Sequence, residues 1–301
     1  MPDENEIQEV NIHSRMSKID RKILIMSGKG GVGKSTVTVN LANALLEAGH
    51  TVGVLDTDIH GPNIPKMFGC EGEILQGTED GKSILPISPR PGLKIVSISF
   101  ALNDPDQAIV FRGPMKLSVI KQFLADVEWG TLDYLLIDSP PGTGDEQLAV
   151  CQSVPDLTGC IVVTTPQQVA ILDAKKSINF ASQVDVNVIG VIENMSYLIC
   201  PDCGKRIQIF GKDGGKQLCD EMCVPFLGGI PMETGLQMDE DLGRNWLEEN
   251  PDSESAKAFK AIAKHIHDTV KFRHSPYVPS FSSCSPSACA SCTADCSSKK
   301  S

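Results

Sequence analysis

The stretch "ILIMSGKGGVGKSTVTVNLANALLEAG", residues 23–49, decides the fold. An apolar run leads into a glycine-rich turn, and a helix-like stretch follows. Gly28–Ser35 reads G-x-x-x-x-G-K-S in the strand–turn–helix context that a phosphate-binding loop requires. Its glycines let backbone N–H groups curl around phosphates. Lys34 is placed to reach the β/γ oxygens and Ser35 to ligate Mg²⁺, while the helix N-terminus adds partial positive charge. The loop therefore predicts ATP and Mg²⁺ as ligands. A second lysine, Lys29, follows the first glycine, where an ordinary loop needs none.

Outward from the loop the pattern alternates. Residues 22–27, 51–56, 93–98, 134–139, 160–165 and 186–192 are apolar, β-branched runs that read as buried parallel strands. Between them, Lys34–Ala48, Met115–Val127, Asp145–Val154 and Val169–Val184 read as helices. This predicts an α/β fold, a doubly wound, mostly parallel sheet of the P-loop class with helices on both faces. Residues 1–20 read as a polar leader or a short helix, 21–275 as the ATPase domain, and 276–301 as a flexible Cys- and Ser-rich tail.

A chain of 301 residues buries enough surface to hold a core without staples. The formal net charge of −11 argues against broad binding to a nucleic-acid backbone. No run approaches the ~18 apolar residues of a transmembrane segment. Met1–Val10 is polar and acidic and gives no secretory signal, so a cytoplasmic protein with reduced thiols is expected. Of 11 cysteines, Cys70, Cys151 and Cys160 stand alone and read as small buried hydrophobes, while the others are grouped. Grouped cysteines in a reducing compartment read as metal ligands or redox groups.

Gly28, Lys29, Gly30, Gly31, Val32, Gly33, Lys34, Ser35 and Thr36 together resemble the deviant Walker A loop of dimeric ATPases. That class includes nitrogenase iron protein, the septum-site and partition ATPases and the arsenical-pump ATPase. The resemblance implies that Lys29 reaches across a homodimer to the partner's nucleotide, adding positive charge at the phosphoryl transition state. It also implies roles for carboxylates at strand ends. In "VLDTDIHGPN", which carries Asp56 and Asp58, Asp58 matches the residue that orients or deprotonates the attacking water. In "LLIDSPPGTGD", Asp138 matches a Walker B residue holding Mg²⁺ through water, and Gly142–Asp145 a second switch. Asp145 reads equally as a helix N-cap. Asn194 in "IENMS" matches an adenine contact, with residues 230–233 on the second side of the base.

Cys200 and Cys203, in "ICPDCG", form a C-x-x-C with Pro and Gly in the turn. Two thiolates are half of the four-ligand set that Zn²⁺ or an iron–sulfur cluster normally takes. Cys219 and Cys223 form only a C-x-x-x-C on a predicted helix. A two-fold dimer completes the count by bringing two pairs together on its axis. Over residues 20–270 the chain closely resembles the Mrp/ApbC family of iron–sulfur cluster carrier ATPases. The resemblance rests on the two-lysine loop, "LDTDIHGPNIP", "FRGPM" (111–115), "IDSPPGTGD", "IENMSY", the C-x-x-C and "GGIPME". It implies a homodimer with a bridging [4Fe–4S] cluster, slow ATP hydrolysis, and apo iron–sulfur proteins as recipients. A structural Zn²⁺ bridge, a redox pair and a ligand-free pair are the alternatives for the cysteines. The redox reading is weakest because the pair does not open a helix after a first strand.

The tail departs from the family pattern. Cys284, Cys289, Cys292 and Cys296 are spaced C-x₄-C-x₂-C-x₃-C and read as metal ligands, or else as an oxidation-prone tail. Residues 256–274 are amphipathic, with Phe259, Ile262, Ile266 and Val270 on one face. Such a helix docks on membrane in the septum-positioning relatives, and otherwise serves as a last core helix, the reading preferred here. The histidines show no ligand spacing, and His60 reads as a loop residue. The reading is a homodimeric, Mg·ATP-dependent cluster carrier. A positioning ATPase that binds membrane or a partner, and an electron-donating ATPase, are its rivals.

Overall fold

A computed structural model describes residues 4–59, 61–101, 113–200 and 202–270. His60, Phe111 and Arg112 of "FRGPM", and the tail with Cys284, Cys289, Cys292 and Cys296 lie outside the described residues. The central sheet has seven strands: β1 (Ile19–Ser27), β2 (Val52–Asp56), β3 (Leu93–Ser97), β4 (Leu132–Asp138), β5 (Gly159–Thr164), β6 (Val188–Glu193) and β7 (Phe226–Gly229). Their order is β7-β6-β5-β1-β4-β2-β3, and every neighbouring pair is parallel. The sheet is therefore doubly wound, and the chain leaves β1 at its centre to enter the phosphate loop.

Continuous apolar runs form these strands because both sheet faces are covered. Successive β1 side chains serve opposite cores. Ile23 and Ile25 join one with Val37, Leu41 and Leu45 of α2 (Lys34–Glu47). Leu24 and Met26 join the other, with Phe123 and Leu124 of α3 (Gly113–Asp126), Val150 of α4 (Asp145–Ser153) and Ile178 of α5 (Gln168–Gln183). This is the period of two that a strand imposes.

Residues 4–16 form a helix, α1, whose last turn buries Ile12 and Met16, and β1 begins at Ile19. Only that last turn meets the core, so the segment reads as polar. α6 (Gly214–Met222) holds Cys219 buried and leaves Cys223 exposed at its C-terminus. β7, "FLGG", was not foreseen, because two glycines and a four-residue length give no strand pattern. α7 (Thr234–Asp241) is polar over most of its surface and was likewise not foreseen.

α8 (Glu254–Thr269) is capped by Ser253, whose Oγ accepts from the Ala256 N–H at 3.1 Å. Phe259, Ile262 and Ile266 are fully buried against α2 and the sheet. The apolar face of this helix is thus occupied inside the protein and is not presented to a membrane.

Candidate functional site

β1 delivers the loop at the centre of the sheet, where tight turns need glycine. Gly31 and Gly33 take φ of +79° and +78°, which side chains rarely adopt. Gly28 lies against α5, and a Cβ there would meet the Asp173 carbonyl carbon at 2.2 Å. The loop lines a cleft of about 440 Å³ with Asp58, Asn63, Lys66, Pro141 and Asp241. Lys29, Lys34, Ser35 and Thr36 all face it.

Under the loop, Asp138 is the hub. Its Oδ2 accepts from Lys34 Nζ at 2.5 Å and from Ser35 Oγ at 2.8 Å, and its Oδ1 accepts from Thr38 Oγ1 at 2.6 Å. The Lys34 and Asp138 side chains are 7% and 1% exposed, so the ion pair lies in a low-dielectric setting. Asp56 stands at the paired position on β2 and accepts from Ser97 Oγ and from the Asp58 N–H, both at 3.0 Å. Burial, then the neighbouring Asp138 carboxylate, push the Asp56 carboxyl up to about 8. Asp58 accepts from the Gly61 N–H at 3.3 Å at the edge of the cleft. Lys29 Nζ reaches Gln167 Oε1 at 3.4 Å. A hydroxyl and a carboxylate that converge beside the phosphate loop are oxygen donors suited to Mg²⁺.

Asn194 lies behind the loop. Its side-chain N–H donates to the Val32 carbonyl at 2.9 Å, and a Cβ on Gly33 would meet that nitrogen at 2.2 Å. The preceding Glu193, also buried, accepts from Ser196 Oγ and from the Gly215 N–H, each at 2.5 Å. Met195 then turns the chain in a left-handed conformation, φ +54°.

That turn leads into an antiparallel hairpin of Leu198–Ile199 and Arg206–Ile207, and the cysteine pair occupies its tip. The Cys200 N–H donates to Lys205 O at 3.0 Å and the Gly204 N–H to Cys200 O at 2.9 Å. Gly204, at φ +67°, supplies the left-handed turn residue. Cys203 is exposed and Cys200 half-buried. The Cys203 N–H first, then the Asp202 N–H and the Cys203 thiol, point at Cys200 Sγ and hold its thiol below the usual range. Among the described residues no group of three His, Cys, Asp or Glu is placed to hold a metal ion. The pair therefore offers two free thiols, one of them with enhanced thiolate character.

The structure thus brings Lys34, Ser35 and Asp138 into direct contact and sets Lys29 and Asp58 on the same cleft. Glu240 was missed. It is 4% exposed, and its two oxygens accept from Thr36 Oγ1 at 3.0 Å and Asn40 Nδ2 at 2.6 Å. A Glu amid "MDEDLG" reads as surface charge, and no periodicity marks it as buried.

The family described as the NUBPL iron-transfer P-loop NTPases, of the ParA group, matches residues 18–267. The chain belongs to this family. An iron–sulfur cluster carrier protein of Methanocaldococcus jannaschii is 50% identical over 264 residues, 88% of this chain and 90% of that protein. A protein of the same description from Saccharolobus solfataricus is 47% identical over 87% of this chain and 88% of its own length. Among solved structures, a nucleotide-binding protein of Archaeoglobus fulgidus, described in complex with ADP and with cobalt, is 38% identical. It superposes with a TM-score of 0.71 over 83% of this chain and 96% of its own. The Pyrococcus furiosus cell division ATPase MinD, 22% identical with a TM-score of 0.60 over 83% and 99%, shares the fold.

Proposed function

We propose that this iron-transfer NTPase is an ATP-dependent carrier of iron–sulfur clusters. It holds a [4Fe–4S] cluster as cargo between two copies of the chain, each contributing Cys200 and Cys203, and passes it to apo-proteins in the cytoplasm. The observation that carries this reading is the two-thiol turn at the tip of a hairpin rooted against the phosphate loop. Two ligands from one chain leave half of a four-ligand site to be supplied, and a two-fold axis supplies it. A cluster shared across a subunit junction is released by small subunit movements, which suits a carrier. The relatives described as cluster carriers, matched over most of their length, support the same assignment.

The nucleotide site supports slow ATP hydrolysis. Mg²⁺ would be held by Ser35 directly and by Asp138 through water, and would supply positive charge beside the phosphates. Lys34 would hold the β/γ oxygens and Asn194 would contact the adenine. Asp58 orients the attacking water. Lys29, on the rim, adds charge to the partner's site in trans. Cys284, Cys289, Cys292 and Cys296 form a second, separate thiol group for metal in this proposal.

The test is transfer. Protein reconstituted anaerobically with iron and sulfide is mixed with an apo [4Fe–4S] enzyme, and recovery of that enzyme's activity is followed with and without Mg·ATP. Recovery faster than with free iron and sulfide supports the carrier. A cluster that cycles between redox states without leaving would make the protein an electron donor instead.

A further inference from the structure

The cysteine hairpin is attached to the phosphate loop at two points. The first is the Asn194 amide on the Val32 carbonyl, just upstream of the hairpin. The second runs through α7. The Met232 N–H donates to the Tyr197 carbonyl at 2.7 Å, and Met232 pairs with Leu198 of the hairpin. From Met232 the chain enters α7 at Thr234, and near its end Glu240 grips α2 through Thr36 Oγ1 and Asn40 Nδ2. Val32 and Thr36 bracket Gly33, Lys34 and Ser35, the residues around which phosphates are held.

Glu240 is the directional contact in the second attachment. Its neighbours Asp239 and Asp241 have other surroundings: Asp239 lies beside Arg244 and Asp241 lines the cleft. A buried carboxylate is costly unless its oxygens are bonded, and here each oxygen takes a donor from α2. An apolar residue at this position would pack against α2 without fixing its rotation or its register. Two hydrogen bonds to one helix face fix both.

We propose that Glu240 is a positioning residue that ties the Cys200–Cys203 hairpin to the phosphate loop, so that nucleotide binding changes the accessibility of the cysteine pair. Its purpose rests on the carrier reading, but its geometry does not. Lys34 and Ser35, now on Asp138, are the groups that turn to phosphate and Mg²⁺, and Thr36 is the next residue along. Displacement there reaches α7 through Glu240, and then Met232 and the hairpin. Glu240 itself touches neither nucleotide nor cluster.

The test uses full-length, reduced, metal-free protein, so it reads the coupling even if no cluster is ever bound. The rate of iodoacetamide labelling at Cys200 and Cys203 is measured by peptide mass with and without a non-hydrolysable Mg·ATP analogue. Wild type is expected to show a nucleotide-dependent change of about fivefold, the low end of ordinary site-to-site coupling. Glu240→Gln, which keeps the shape but turns one acceptor into a donor, and Asn40→Ala, which removes one of the two bonds from α2, should each weaken that change at least twofold while analogue affinity stays near wild type. Asn40→Ala carries the test should Glu240→Gln fail to fold. A change weakened less than twofold in both variants, no change in wild type, or loss of nucleotide binding in both variants overturns the proposal. The last result would make Glu240 part of the pocket wall.

Discussion

Asp56 and Asp138 occupy paired positions on the adjacent parallel strands β2 and β4, and both are fully buried. Lys34 is bonded to Asp138 and acts on Asp56 only from a distance. Asp138 takes Lys34 Nζ, whereas Asp56 accepts from the Ser97 hydroxyl and the Asp58 N–H and carries a carboxyl raised to about 8. The two carboxyls thus differ in surroundings: Asp138 holds the lysine under the loop, and Asp56 next to it keeps its proton to a higher pH than an ordinary carboxyl.

This division gives stability a pH signature. A carboxyl whose folded-state pKa lies above its unfolded value of 3.8 binds its proton more tightly when folded. Its contribution is fully present below pH ~4 and is lost progressively as pH rises toward ~8. Asp56→Asn removes that loss. The variant should melt higher than wild type at pH 8, by roughly 2–4 °C for each kcal/mol recovered, with the gap closing toward pH 5. Thermal melts at the two pH values check it, and a variant less stable at pH 8 contradicts the assignment.

Lys29 is on the rim of the cleft, where its Nζ reaches Gln167, while Lys34 is bonded beneath the loop. Lys29→Ala should therefore keep ATP affinity and lower the hydrolysis rate by about 10³ or more, the range seen when a trans-acting cation is removed. Lys34→Ala should lose nucleotide binding itself. Fluorescent-nucleotide titration beside phosphate release separates the two outcomes.

Gly33 is constrained twice, by a φ of +78° and by the Asn194 amide at 2.2 Å from any added Cβ. Gly33→Ala should break the Asn194–Val32 contact as well as strain the loop. We expect destabilisation of about 1–3 kcal/mol in chemical denaturation together with loss of ATP binding. An alanine variant with wild-type affinity would mean that the loop adapts freely.

The fold was legible because each strand buried on both faces reads as a continuous apolar run. Val54, Leu136 and Val162 leave little other choice of element. The phosphate loop was equally legible, since Gly28, Gly33, Lys34 and Ser35 are adjacent in the chain and their spacing carries the chemistry. β7 escaped because its strand state comes from pairing with β6, not from its own residues. Glu240 escaped for a related reason: its partners Thr36 and Asn40 lie some 200 positions away, and only the folded chain brings its side chain to α2. The Cys200–Cys203 turn was readable as a motif, whereas its attachment through Asn194 and Met232 was not.

The central claim is that Cys200 and Cys203 hold a shared cluster. The most direct measurement is iron, acid-labile sulfide and zinc in anaerobically reconstituted protein of known oligomeric mass, for wild type and the Cys200→Ala/Cys203→Ala variant. Wild type is expected to be a dimer carrying about four iron and four sulfide that the variant loses, with any remaining iron belonging to the tail cysteines. Zinc without iron, or an iron content unchanged in the variant, would contradict it.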